Sequence, residues 1–134
     1  MATGLYDKGR EGILDHSIDM TATVKCVLVD TAAYTPNFAT DQFLSDIAVG
    51  ARIATSSALT TKTYTAGVFN SDPASFTGVT GASVEAMVMY IDTGNPATSR
   101  LICFIDNATG FPFTPSGGDV QVVPSTGANK WFKL

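Results

Sequence analysis

The chain is poor in what most catalytic and metal sites are made from. Its 134 residues hold one histidine, two cysteines and one tryptophan, and only 15% of them are charged. A lone imidazole, His16, cannot furnish a zinc site, and no calcium-loop spacing of carboxylates occurs. No G-x-S-x-G elbow is present, and Gly117-Gly118-Asp119 lacks the lysine and helix of a phosphate-binding loop. Basic charge is scarce: eight Lys and Arg against twelve Asp and Glu leave a net charge of −4, which disfavours a phosphate backbone as partner and argues against nucleic acid. No apolar run approaches the roughly 18–20 residues of a spanning helix, and the first residues carry no signal-like apolar stretch. A chain free of the membrane and soluble when made is the expectation. No catalytic, cofactor-binding or metal residue is assigned, so a non-enzymatic role is expected; Asp7, Glu11, Asp15 and Asp19 read as a solvated acidic face.

What is present is a core. The chain is 45% hydrophobic, a length suited to one domain, and rich in threonine and other β-branched or aromatic residues. Strands are expected at Ala22–Val29, Arg52–Thr55, Thr60–Ala66, Val68–Phe69, Ser83–Ile91, Leu101–Asp106, Val120–Val123 and Asn129–Lys133. Short strands divided by Gly, Pro and Asn signals predict an all-β fold, an antiparallel β-sandwich or jelly-roll-like barrel. Residues 21–134 form the β domain. Residues 1–20 precede it as an N-terminal arm or short helix, because Gly9 and Gly12 oppose the helical spacing of Leu5, Ile13 and Leu14. One further short helix is expected at Thr40–Ile47, capped by Thr40.

Strand alternation puts Val24, Cys26 and Leu28 on one face, and Leu101, Cys103 and Ile105 on another shared face. Both cysteines therefore read as small core hydrophobes; a bridge between neighbouring strands is the alternative. Asp92-Thr93-Gly94 after an apolar strand has the form of an aspartic-protease triplet. Asn95-Pro96 follows it, however, and a D-x-G turn between strands is the simpler reading. Aromatics beside prolines, in Tyr34-Thr35-Pro36-Asn37-Phe38 and Phe111-Pro112-Phe113-Thr114-Pro115, either pack under loops or anchor a partner. Trp131 sits in a closing segment with apolar groups on both faces. The candidate contact residues are Leu5, Tyr6, Ile13, Tyr34, Phe38, Phe111, Phe113 and Trp131.

Val27-Leu28-Val29-Asp30-Thr31-Ala32-Ala33-Tyr34, Phe43-Leu44-Ser45-Asp46-Ile47 with Gly50-Ala51-Arg52, and the closing Asn129-Lys130-Trp131-Phe132-Lys133-Leu134 together resemble a family of small virion structural proteins of tailed bacteriophages. The resemblance runs from Tyr6-Asp7-Lys8-Gly9-Arg10 to the end. It implies a capsid decoration (cement) protein on the outer surface of the virion, made in the bacterial host cytoplasm. Its expected partners are the major capsid protein and further copies of itself, a trimer favoured. A tail, neck or fibre-adaptor component and a host-surface carbohydrate-binding module are the alternatives.

Overall fold

A computed structural model describes residues 3–134. Its centre is a five-stranded antiparallel sheet in the order β1-β7-β6-β2-β3: β1 Gly4–Leu5, β7 Leu101–Ile105, β6 Ala86–Ile91, β2 Val24–Val29 and β3 Arg52–Thr55. Two of the three inner runs, Ala86–Ile91 and Leu101–Ile105, are buried at every position, which explains why their sequences are continuously apolar rather than alternating. Two smaller antiparallel pairs complete the fold. β4 Val68–Phe69 pairs with β9 Phe132–Lys133, and β5 Ala74–Phe76 with β8 Val120–Val122. No closed barrel forms among the described residues, because the large sheet ends at β1 and β3.

The central sheet separates two apolar layers. On one side Cys26, Leu28, Met87, Met89 and Cys103 pack against Phe69, Phe76, Val122 and Trp131, brought by the small sheets. On the other, Val27, Val29, Val88, Tyr90 and Phe104 meet Tyr6, Tyr34, Leu44 and Ile47. The expected facing of Val24, Cys26 and Leu28 is correct; that of Leu101 is not. The register shifts between Met89 and Tyr90, so Met89 faces Cys103 while Tyr90 faces Leu101. This bulge puts Ile102 with Cys103 on the first side and turns Leu101 to the second.

The N-terminal segment forms β1 and then a helix, α1, over Asp7–Leu14. Gly9 and Gly12 are its buried residues, and they permit the contact rather than oppose it. A Cβ on Gly9 would stand 2.8 Å from the Leu101 carbonyl, and one on Gly12 would stand 2.6 Å from Ile18. Gly9 thus lets the helix lie directly on β7 and Gly12 makes room for the Ile18 and Arg100 side chains, at a helix-propensity cost of about 1 kcal/mol each. Arg100 pins the helix: its guanidinium donates to the Lys8 carbonyl at 2.8 Å and to Ser17 Oγ at 3.0 Å.

Three expectations require correction. The helix over Thr40–Ile47 shrinks to one 3-10 turn, Leu44–Asp46, because Asp46 reaches back to accept the Gln42 and Phe43 amides at 2.7 and 2.9 Å. Thr60–Ala66 is not a strand: Thr61 and Ala66 take positive φ of 54° and 58° and break the extension. Only Phe132–Lys133 of the closing segment is strand, since Lys130 also has a positive φ, 47°. β5 lies in a stretch assigned to no strand.

Candidate functional site

Several turns are fastened by carboxylates. Asp15 accepts the Ser17 amide at 2.9 Å and Asp19 the Thr21 amide and hydroxyl at 2.9 and 2.6 Å. These bonds hold both carboxyls below the ordinary Asp range. Asp92 of the D-T-G triplet has the same role. Its Oδ1 accepts the Gly94 amide at 3.0 Å, and its Oδ2 pairs with Lys25 at 2.9 Å, which lowers its pKa. Gly94, at φ 83°, supplies the positive dihedral of the turn. Among the described residues no group of three or more His, Cys, Asp and Glu is placed to hold a metal ion.

The two cysteines are free and buried. Cys26 and Cys103 both face Met89 across the ladder, one from each side, so β6 lies between them. That is about two strand spacings of roughly 4.8 Å, beyond the reach of a disulfide. Burial raises the Cys103 thiol to about 12 and that of Cys26 well above its ordinary value, so neither is a poised nucleophile.

The candidate contact residues divide by location. Tyr6 is fully buried and Tyr34 nearly so. Their hydroxyls bond to each other at 2.7 Å, and Tyr34 donates onward to Asp41 at 2.7 Å. Burial raises both phenols far above the usual tyrosine range, keeping the chain of hydroxyls neutral. Phe38, half-buried, covers this group, 5.3 Å from the Tyr6 ring and 6.1 Å from that of Phe104. Leu5 and Trp131 are buried, and the Trp131 indole donates to Ser71 Oγ at 2.8 Å. These residues are therefore mainly structural. Ile13, Phe111 and Phe113 stay half-exposed. The two phenylalanine rings stack at 6.1 Å with 9° between planes, beside a shallow depression that Gln121 and Asp119 also line.

A larger apolar surface lies elsewhere. A cleft of about 420 Å³ opens between the α1–β2 connection and the β4–β9 pair. Ile13, Ile18, Phe69 and Phe132 form its floor and walls, with Tyr64, His16 and Asp19 at the polar margin. Phe69 stacks on Phe132 at 5.3 Å and meets Tyr64 at 5.8 Å, so three rings form one continuous wall. Tyr64 is 43% exposed, Leu134 on the cleft margin 57%, and Leu14, next to Ile13 in the chain, 80%. Of the eight individual candidate contact residues only Ile13 belongs to this set, although the expected contact segment Leu5–Asp19 also spans Leu14, His16, Ile18 and Asp19. The others come from positions far apart in the chain, and the positive-φ breaks at Thr61 and Ala66 that shape this region carry no composition signal.

No helix among the described residues is long and apolar enough to cross a membrane. Compared with known protein families and with curated proteins, the chain matches none.

Proposed function

We propose that this chain is a non-enzymatic structural subunit of a tailed-phage virion, a capsid decoration protein that bridges neighbouring capsomers from outside the shell. The observation that carries the reading is the apolar cleft with Tyr64, Leu134 and the neighbouring Leu14 exposed. Apolar surface of this kind, rimmed by polar groups, is what a protein–protein contact uses. The small sheets laid over one face of the large one support a sandwich-like architecture. Rigid β layers of this sort resist load by burying interface, with no chemistry required. The sequence resemblance adds the virion setting, the major capsid protein as partner and a trimer as the favoured assembly.

Copies of the chain per purified virion, counted against the major capsid protein, test this. A ratio near one, or hundreds of copies, is expected for a shell-covering protein. A few dozen or fewer would move it to the tail, neck or fibre adaptor, and absence from the particle would overturn the virion reading. The stacked Phe111–Phe113 pair beside Gln121 favours a second reading, a carbohydrate-binding module. Saturable glycan binding by the isolated domain, lost in Phe113→Ala, would establish that instead.

A further inference from the structure

A second groove, of about 390 Å³, runs between edge strand β1 and β9, and its chemistry is opposite to that of the molecule as a whole. Arg10, Lys130 and Lys133 line it, and no carboxylate does. Outside it, Lys8 pairs with Glu11 at 3.0 Å, Lys25 with Asp92 at 2.9 Å, Arg100 holds the helix and Lys62 donates to the Ala22 carbonyl, while Arg52 stands alone and apart from the other cations. Lys130 and Lys133 have no ion-pair partner among the described residues, and Arg10 meets Asp7 only through an exposed pair at 3.3 Å. In a chain of net charge −4, three of eight cations therefore converge on one groove, two of them without an ion-pair partner among the described residues.

Two further features give the groove a direction and a size. β1 is the open edge of the large sheet. Its ladder to β7 pairs Gly4 with Phe104 and Leu5 with Cys103, and the Tyr6 amide continues it to the Ile102 carbonyl at 3.0 Å. By antiparallel alternation, the Leu5 N–H and C=O point away from β7, to the unpaired side where Leu5 lines the groove. The groove continues into a second depression of about 210 Å³ that shares Asn107, Ser125, Lys130 and Trp131 with it. Of these, Asn107, Ser125 and Lys130 can donate hydrogen bonds along its length, while the Trp131 indole N–H is already given to Ser71.

We propose that this groove binds an extended acidic segment of a partner protein, which pairs through its main chain with the β1 edge and places carboxylates against Lys130, Lys133 and Arg10. A free strand edge supplies affinity through backbone hydrogen bonds, and flanking charge supplies selection. The inference stands on the groove alone and survives if the virion reading fails.

Trp131, the only tryptophan, lines both depressions, so its fluorescence reports occupancy. The intact protein is titrated with a capped peptide alternating glutamate and valine, with a lysine–valine peptide of equal length, and with inorganic phosphate. Saturable change with the acidic peptide alone is expected, weakening as salt is raised. It should fall roughly tenfold or more in affinity in the Lys130→Glu/Lys133→Glu double variant. Because Lys130 has a positive φ, Lys133→Glu alone, at an exposed position, gives a second test should the pair disturb folding. No response to the acidic peptide, an equal response to the basic one, or unchanged affinity in a folded variant would overturn the proposal. Phosphate that matches the peptide's response would overturn it too, since that describes a small-anion site.

Discussion

The two sides of the central sheet are covered by different means. On one, β4, β5, β8 and β9 bring Phe69, Phe76, Val122 and Phe132 down as strands, so most of the cover settles its backbone hydrogen bonds in ladders. On the other, much of the cover is the irregular stretch between β2 and β3, which has no ladder of its own. There, carboxylates do the work of strand partners: Asp41 accepts the Asn37 amide at 2.9 Å as well as the Tyr34 hydroxyl, and Asp46 accepts two amides. Main-chain carbonyls finish it, with Leu44 donating to Ser99 and Leu101 to Gln42, both at 2.8 Å. The comparison teaches that a loop can seal a core provided its polar backbone is satisfied by side chains.

The largest expected effect is on the strand-covered side. Phe76→Ala, at a fully buried position between ladders, should cost about 3–5 kcal/mol in denaturant unfolding followed by Trp131 emission. Ile47→Ala, equally buried but under the loop, should cost nearer the low end of the 2–5 kcal/mol range, because a loop settles into a cavity more readily than a paired strand. Equal losses would break the comparison.

Gly9→Ala comes next. Its methyl group would meet the β7 main chain, and a loss of about 1–3 kcal/mol is expected, whereas Gly50→Ala, with open space around it, should leave stability nearly unchanged. Tyr34→Phe would remove a partner from both Tyr6 and Asp41, costing about 1–3 kcal/mol and speeding amide exchange across the Asn37–Ile47 cover more than in β6. Uniform acceleration through the whole sheet would instead mean that the loop and the core open as one unit.

The smallest effect is that of Asp92→Asn, about 1 kcal/mol or less. Because the Asp92 pKa is lowered in the folded state, its contribution is fully present above the ordinary Asp value of about 3.9 and is lost as pH falls through the folded value. The stability difference between wild type and Asp92→Asn should therefore narrow on acidification; a difference that does not change with pH would assign the effect to the turn alone.

Much of the large sheet was readable from the residues, because β2, β6 and β7 carry long apolar runs that only a doubly covered strand needs. β1 and β5 were missed because Gly4–Leu5 and Ala74–Phe76 are too short for periodicity and, unlike the equally short β4 and β8, hold no valine to mark them. Gly9 and Gly12 misled because propensity weighs a glycine against the helix, while their worth here is close approach, of Gly9 to β7 and of Gly12 to the Ile18 and Arg100 side chains. The contact residues differ again. An aromatic beside a proline marks a rigid ring, and Tyr6, Tyr34 and Phe38 do form one cluster. Composition, however, carries no sign of direction, and that cluster faces inward. The apolar cleft and the basic groove each join segments far apart in the chain, so their charges and rings could be counted in advance but not brought together.

The row Cys26, Met89, Cys103 crosses three adjacent strands with its sulfurs sealed in the core. No covalent staple is within reach, and oxidants are kept from the thiols. The fold is therefore indifferent to redox conditions: the same molecule, with the same bonds, persists in reducing and in oxidising solution, and no thiol has to be matured or protected for it to do so.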